Sequence, residues 1–379
     1  MKRIISALIM ISMMFSVFPS FAQDDTDVYM QNAVNIEQGR EIYTLSLEEA
    51  IAMSTRDNSE LAVCDINKQN LEKQLKDARL TQRDAKNIPI YMNQNFELVY
   101  VKNGYYINMY KKYIELSAYE RKKIEATIAY DTTHKYYTYK NALSLLETAK
   151  NGLERAKSNL DIISQKFNLG MCTQLEVTNA QISVSECEAN IIKCQQNAEL
   201  CKESLKIRLN IDGDCEFNLT DDVMVNEFSG DAVTDIPKAL EQRYDVKALT
   251  IAAQLSQEYF EATKSLDTDS TIYFSAYTEY IESTHNYNNG IKNISLAIKS
   301  AYYDVINAQN ASKIAKSKLE FTQNQYEVSK LQFEMGMITN FILSAKSDEL
   351  TAAEIAYTNA LLTEKLAVEN YNYQIMIGI

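Results

Sequence analysis

Apolar and small residues recur at alternating spacings of three and four along the middle of the chain. One series consists of Tyr139, Ala142, Leu146, Ala149, Leu153, Ala156, Leu160, Ile163 and Phe167. A second series consists of Val177, Ala180, Val184, Cys187, Ile191, Cys194, Ala198, Cys201 and Leu205. Such sustained spacing predicts two long helices that pack as a left-handed coiled coil. Because the short connection at residues 170–173 joins the two helices, we expect them to be antiparallel neighbours.

The short connection between these helices carries its own turn signals. Gly170 supplies the backbone freedom that ends the first helix. Thr173, followed three residues later by Glu176, predicts a capping box that starts the second helix.

The whole hairpin is duplicated. Residues 166–173 recur as residues 332–339, and the same offset pairs Tyr136-Tyr137 with Tyr302-Tyr303. A repeat of this period exceeds the solenoid units of about 20 to 50 residues, so a complete structural hairpin is doubled. The second copy has a more polar seam, which runs through Val305, Ala308, Ser312, Ala315, Leu319, Thr322, Tyr326, Ser329 and Phe333 and returns through Leu343, Leu350, Ala353, Tyr357 and Ala360.

Each hairpin is preceded by another predicted helix, and the two copies define the domain organisation. Repeat 1 covers residues 44–210 with a leading helix from Leu47 to Arg83 and a tip at residues 169–173. Repeat 2 covers residues 237–379 with a leading helix from Pro237 to Leu266, an N-cap at Asp235 and a tip at residues 335–339. The Asp-, Asn- and Gly-rich residues 211–236 between them are expected to be a linker that holds at most a short helix or strand.

The segments between leading helix and hairpin are rich in tyrosine and phenylalanine. Residues 90–113 surround Asn103-Gly104, and residues 271–298 surround Asn289-Gly290. Asn-Gly between aromatic runs predicts a β-hairpin, and strands of about 9 to 11 residues cross a bilayer. The alternative is that the helical seam continues through both segments.

The first 22 residues read as a secretory signal: Lys2 and Arg3, an apolar run from Ile4 to Val17, and a small-x-small cleavage site at residues 20–22. The rival interpretation is a transmembrane anchor. Residues 23–43 show no period and are expected to be extended. Nothing after residue 22 is apolar enough for a spanning helix, which leaves a soluble protein or a β-barrel.

The net charge of the chain and its lack of catalytic motifs argue against nucleic-acid binding and against enzymatic activity. Removing Lys2 and Arg3 takes the net charge from -13 to -15, so the exported chain repels nucleic acid and anionic lipid, and in a conduit this excess of acid would favour cationic cargo. His134 and His285 are the only histidines and have no metal-ligand partner at useful spacing, and no nucleophile motif or phosphate loop is present. We therefore expect that the protein is not an enzyme and that it has no cofactor-binding or metal-binding site.

Six cysteines in an exported chain raise the question of disulfides. Cys187, Cys194 and Cys201 stand seven apart, so neighbours on one helix lie about 10 Å apart, beyond disulfide reach. Because these three fall within the heptad seam, we expect them to pack against facing helices.

The order and duplication of these motifs resemble the TolC-type outer-membrane efflux family over nearly the whole exported chain. The resemblance is carried by Leu45 to Ile51 with Asn58 to Leu61, their second-copy counterpart Ala239 to Val246, and the turns Phe167 to Val177 and Phe333 to Leu343. It implies a homotrimer in which two helical hairpins per protomer build a periplasmic tunnel. It also implies that short β-hairpin segments form a shared trimeric barrel in the outer membrane.

The resemblance further implies that the tips meet the hexameric hairpins of a periplasmic adaptor (membrane fusion) protein, which links them to an inner-membrane transporter. The tip contacts would be Leu169, Gly170, Met171, Thr173, Met335, Gly336, Met337 and Thr339. A glycine turn that exposes methionine presents adaptable apolar surface, as docking requires. The alternative is that these residues only cap helices.

Two functions follow for a mainly α protein of this kind. The first is a passive exit duct for efflux or export in the outer membrane, energised by its partners. The second is a coiled-coil scaffold or adaptor-binding protein of the cell envelope, without a barrel. The discriminating feature is whether residues 90–113 and 271–298 form strands or continue the helices.

Overall fold

The computed structural model describes residues 34–37, 40–56, 58–89, 96–223, 228–264 and 270–376. They fall into two compact units. The smaller unit, around residues 40–44 and 214–218, is a three-stranded sheet in the order β1 (Val34–Glu37), β2 (Arg40–Leu45) and β3 (Cys215–Leu219). β1 and β2 are antiparallel, with Val34 opposite Tyr43, and the Tyr43 ring lies 5.9 Å from that of Phe217.

The larger unit is helical, and the predicted mainly α fold class is confirmed. Its helices are α1 (Leu47–Arg56), α2 (Ser59–Ala85), α3 (Phe96–Asn103), α4 (Tyr105–Asn168), α5 (Gln174–Arg208), α6 (Ala232–Gln242), α7 (Tyr244–Thr263), α8 (Thr271–Glu334) and α9 (Asn340–Met376). At 1.5 Å per residue, α4 and α8 each extend about 95 Å. Among the described residues, no helix is both long and apolar enough to cross a bilayer.

The heptad series places the core where α4 and α5 pack along each other as an antiparallel hairpin. The first series buries Ala142, Ala149, Ala156 and Ile163, and the second buries Val177, Ala180, Ala198 and Leu205. Small residues at these positions permit close helix approach. Cys187, Cys194 and Cys201 are half-buried on α5, and none of the six cysteines, all of which lie within the described residues, forms a disulfide.

The second hairpin, α8 and α9, joins the first through α4 and α9. The Arg155 guanidinium donates to the Glu354 carboxylate at 2.9 Å, and the Asn141 amide donates to Asn359 at 3.1 Å. Farther from the tips, the Thr127 hydroxyl lies 2.7 Å from that of Tyr373. The pair α4–α9 is therefore central, with α5 packed on α4 and α8 packed on α9.

The strand predictions for residues 90–113 and 271–298 are wrong wherever the structure describes these segments. Residues 96–103 form α3, residues 105–113 begin α4, and residues 271–298 lie within α8; residues 90–95 fall outside the described residues. Gly104, at φ 76°, separates two helices and does not turn a hairpin. Gly290 stays helical because its missing side chain leaves room for Leu249 of α7.

Both leading helices are interrupted, against the sequence prediction. The first divides into α1 and α2, where the Asn58 side chain caps α2 by accepting from the Glu60 amide at 2.9 Å. The second divides into α6 and α7 at Arg243. The N-cap prediction for Asp235 is also wrong: Asp231 caps α6, and Pro237 lies inside that helix. The predicted linker contains β3 and the start of α6.

Candidate docking tips of the helical hairpins

The first tip is a glycine-terminated helix end followed by a capped helix start. The Met171 amide donates to the Lys166 carbonyl and the Gly170 amide donates to the Phe167 carbonyl, each at 2.8 Å. This is the Schellman arrangement, and it requires the left-handed φ of 72° that Gly170 adopts. The predicted capping box is present: the Thr173 amide donates to Glu176 at 2.8 Å, and the Glu176 amide donates to the Thr173 hydroxyl at 3.3 Å.

The second tip repeats this backbone geometry. The Met337 amide donates to the Gln332 carbonyl at 2.8 Å and the Gly336 amide donates to the Phe333 carbonyl at 3.0 Å. Gly336 has the same φ of 72°. Thr339 accepts from the Ile342 and Leu343 amides through its backbone carbonyl. The duplication seen in the sequence is thus a duplication of turn geometry.

Both turns expose their predicted apolar residues. Leu169 is 74% exposed and Met171 71%, while Met335 and Met337 are 63% and 68% exposed. Because helix capping needs only the glycines and threonines, it does not account for this apolar surface.

The structure brings the two tips together over one small core. Ile163, Val177 and Ala180 of the first hairpin are buried with Phe333 and Leu343 of the second. The Lys166 ammonium crosses between the hairpins: it donates to the Phe333 carbonyl at 3.3 Å and lies 3.7 Å from the centre of the Phe333 ring. The eight predicted tip residues therefore belong to one end of the larger unit.

Two exposed residues at this end were missed by the sequence analysis. Leu175 is 68% exposed and Phe341 is 76% exposed, each just inside the helix that leaves its turn. The sequence contains a signal for them, because both positions are apolar and are related by the same repeat offset as the two turns. The apolar surface of each tip thus extends onto the first turn of α5 and of α9.

A stripe of exposed apolar side chains follows α5 on the side that faces away from α4. Its members are 50% to 77% exposed and are Leu175, Ile182, Leu200 and Ile207. Their separations are close to whole numbers of helical turns, so they share one face. This face is called the α5 stripe below.

A second exposed stripe runs the length of α8, opposite the side that packs on its neighbours. Its members are all at least 45% exposed and are Phe274, Tyr277, Ile281, Leu296, Tyr303, Ile314, Phe321, Val328, Leu331 and the C-cap residue Met335. The buried residues Ile294, Ile298, Ala301, Val305 and Ala308 lie on the other side of the helix. This face is called the α8 stripe.

A polar cavity of about 20 Å³ lies between the hairpins above the tips, and its lining includes Arg155, Asn159, Cys187 and Asp348. The side-chain amide oxygen Oδ1 of Asn159 and the Nε of Arg155 are buried without a hydrogen-bond partner. Burial, together with the nearby Glu186 carboxylate, raises the pKa of Asp348. The interior is thus polar here, in contrast to the apolar core directly above the turns.

The histidines lie away from these features. His134 and His285 are exposed; the ring of His134 faces the Thr138 hydroxyl at 3.5 Å, and that of His285 the Asn289 amide at 2.6 Å. Within the described ranges, no three His, Cys, Asp or Glu side chains gather as metal ligands would. The arrangement offers surfaces for association, built from exposed apolar side chains on rigid helices.

No family model and no curated protein sequence matches the chain. Solved structures do match. The open-state MtrE outer membrane channel of Neisseria gonorrhoeae is 12% identical with a TM-score of 0.71, covering 96% of this chain and 98% of that one. The CmeC outer membrane channel of Campylobacter jejuni is 13% identical with a TM-score of 0.69, covering 87% and 85%.

The transmembrane channel protein CusC is 12% identical with a TM-score of 0.72, covering 88% of this chain and 92% of that one. At such identities the similarity establishes the fold alone. The chain has the TolC-type fold of these outer-membrane channels, and the resemblance inferred from its repeated turns is confirmed at that level.

Proposed function

We propose that this protein is an exported exit duct of the outer membrane, a homotrimeric ring of helical hairpins that conducts efflux or export passively. Its tips would dock on a periplasmic adaptor protein coupled to an inner-membrane transporter. The TolC-type fold supports this function, since its solved examples are outer-membrane channels. The observation that carries the proposal is the presence of two exposed apolar stripes on helices that flank one central pair.

The two stripes complement each other in length and direction. Leu175 to Ile207 on α5 and Tyr303 to Met335 on α8 each cover about 48 Å of helix, and both begin at the tip. α5 runs away from the tip whereas α8 runs towards it, so the stripes of two copies would pair as antiparallel helices. Ile182 would then lie level with Val328, and Ile207 with Tyr303.

Such a contact joins different surfaces of two identical chains, and repeated contacts of this type close into a ring when the rotation fits. Burying both stripes removes their apolar side chains from water, which favours association by about 25 cal/mol per Å² of apolar surface. The ring leaves all tip methionines at one end, where they can meet a partner of helical hairpins. An apolar, adaptable surface suits that partner.

The ring is tested by cysteine crosslinking in envelopes of cells that express the full chain. In a background with Cys172, Cys187, Cys194 and Cys201 replaced by alanine, Ile182→Cys and Val328→Cys are combined and treated with a short bismaleimide. We expect a ladder that ends at a circularised trimer. Each single variant serves as the control and cannot extend beyond a dimer. Monomer alone from the combined variant would contradict the ring.

A second candidate function is an envelope scaffold that binds an adaptor but does not cross the membrane. One observation favours it: residues 96–113 and 271–298 continue the helices. Fractionation distinguishes the two functions. A crosslinked ring that requires detergent for extraction supports the duct, whereas a ring released by salt or buffer alone supports the scaffold.

A further inference from the structure

A cleft of about 340 Å³ lies where α2, α3 and α4 meet, at the end of the larger unit remote from the tips. Its walls carry two carboxylates and two tyrosine rings: Asp77 of α2, Glu97 of α3, and Tyr106 and Tyr110 of α4. Sites for small organic molecules have volumes of about 300 to 1,000 Å³. The cleft is therefore large enough for a ligand of that kind.

The short helix α3 forms one wall because Gly104 interrupts the helix between α3 and α4 at a φ of 76°. Two contacts hold α3 in place. The Gln82 side-chain amide of α2 donates to the Lys102 carbonyl at 3.1 Å, and the buried Tyr100 ring stacks on Tyr259 of α7 at a centroid distance of 4.7 Å. The wall is thus fixed from two sides within one chain.

Helical spacing directs the remaining side chains of these helices into the cleft. Glu97 and Val101 of α3 are four residues apart, as are Tyr106 and Tyr110 of α4, so each pair shares one helix face. Asp77 supplies the corresponding face of α2. The cleft therefore combines acidic, aromatic and apolar groups from three helices.

Each carboxylate lies near one tyrosine. Burial, together with the Glu97 carboxylate, raises the pKa of Tyr106, and burial with the Asp77 carboxylate raises the pKa of Tyr110. No lysine or arginine is among the described residues that line the cleft. The Lys102 ammonium of α3 donates to the Ile88 carbonyl. The lining thus has negative charge without a basic side chain to balance it.

This combination of groups suits an organic cation. The faces of aromatic rings attract cations, and quaternary ammonium groups are bound in this way by sets of aromatic side chains. Two carboxylates add charge attraction, and Val101 with Ile107 provides apolar surface for the body of the ligand. A calcium ion takes six to eight oxygen ligands, and within the described ranges no three His, Cys, Asp or Glu side chains gather as metal ligands would.

We propose that the cleft between α2, α3 and α4 binds an organic cation with an apolar body, of the quaternary ammonium class. The carboxylates of Asp77 and Glu97 would neutralise the charge, and the ring of Tyr106 would contact the ammonium methyl groups. All of these residues belong to one chain, so the inference does not rest on the proposed ring.

Calorimetric titration of the purified full-length protein in nonionic detergent with benzyltrimethylammonium chloride tests the site. We expect saturable binding at one site per chain. Asp77→Asn is expected to weaken the binding about threefold, because one of two attracting charges is lost. Glu72→Gln, which removes a carboxylate from another face of α2, is the matched control and should leave the affinity unchanged.

Substitutions of Tyr106 separate the aromatic ring from the hydroxyl. Tyr106→Leu is expected to weaken binding about threefold, whereas Tyr106→Phe, which keeps the ring, should bind as wild type does. Circular dichroism of each variant confirms that it is folded. Neutral benzyl alcohol is expected not to displace the cation.

Several outcomes would overturn the proposal. They are the absence of saturable binding to wild type, an equal loss of affinity in Asp77→Asn and Glu72→Gln, and full affinity in Tyr106→Leu. Binding of calcium chloride that is lost in Asp77→Asn, without binding of the ammonium ion, would identify a metal site instead. None of these results depends on whether the copies form a ring.

Discussion

The Lys166 ammonium lies 3.7 Å from the centre of the Phe333 ring and donates to the Phe333 carbonyl, so one residue of the first hairpin holds the end of the second. Phe333 is buried and belongs to the core that both tips share. The lysine thus links the two turns across the interface between α4 and α8. This contact gives the pair of tips a fixed relative position.

Replacing Lys166 with methionine tests this link. The substitution keeps the length and apolar stem of the side chain but removes the cation–π contact and the hydrogen bond, so we expect a loss of about 1 kcal/mol in the free energy of unfolding. Urea unfolding followed by circular dichroism measures the loss. Lys157→Met removes only an exposed pairing with Glu188 at 3.6 Å and should change stability by less than about 0.5 kcal/mol.

Alanine at Gly170 or Gly336 is expected to destabilise each turn to the same degree. A Cβ at either position meets no atom within 4 Å, so the cost is the backbone strain of a φ of 72° alone, about 1 to 2 kcal/mol. Asparagine, which tolerates this conformation, should cost less. Urea unfolding measures the loss of unfolding free energy for each variant. Unequal losses at the two glycines would show that the turns are not equivalent.

The ion pair between α4 and α9 is expected to matter more than exposed pairs. Arg155 meets Glu354 at 2.9 Å with both side chains largely buried, and the same guanidinium donates to Thr351 at 2.8 Å. Glu354→Ala leaves a largely buried cation without its carboxylate, so we expect a loss of about 1 to 3 kcal/mol. Glu147→Ala, which removes an exposed pairing with Lys150, is the control.

Stability should fall in acid partly through Asp235. Burial alone would raise the pKa of this carboxyl, but hydrogen bonds from the Asp231 amide and the Tyr371 hydroxyl, with Lys238 nearby, hold its pKa below the ordinary value. A lowered folded-state pKa stabilises the fold above the unfolded pKa, and this stabilisation is lost as the pH falls through the folded pKa.

Tyr371→Phe isolates this contribution. It removes the hydrogen bond to Asp235 at 3.0 Å, so we expect a loss of about 1 kcal/mol at neutral pH that shrinks as the carboxyl is protonated. Unfolding free energies measured from neutral pH to about pH 3 provide the check. A difference between wild type and variant that does not depend on pH would assign the effect to packing.

The helical hairpins and their turns could be predicted because their determinants are local. Heptad spacing determines which face of α4 and α5 is buried. The geometry of the first tip is determined by its glycine, Gly170, and by the capping box of Thr173 and Glu176. The strand predictions failed because Asn289-Gly290 is a turn signal in isolation, whereas the partner that keeps Gly290 helical, Leu249, lies elsewhere in the chain. Such a contact leaves no trace in local sequence.

The stripes could not be separated from the core for a different reason. α8 has apolar residues on two opposite faces, and both recur near seven-residue spacing, as in Ile298 and Val305 on one face and Ile314 and Phe321 on the other. Periodicity identifies the helix but not which face its own chain covers. Only the packing of α9 and α7 decides that.

The identical turns at Gly170 and Gly336 have a consequence for symmetry. Each chain carries two tips of the same backbone geometry at one end of its larger unit. A ring of three chains would therefore present six nearly equivalent tips at that end. A partner with true sixfold symmetry would therefore meet no symmetry mismatch there. The residues that differ between the two tips, such as Leu175 and Phe341, would be the ones that set the partner's rotational register.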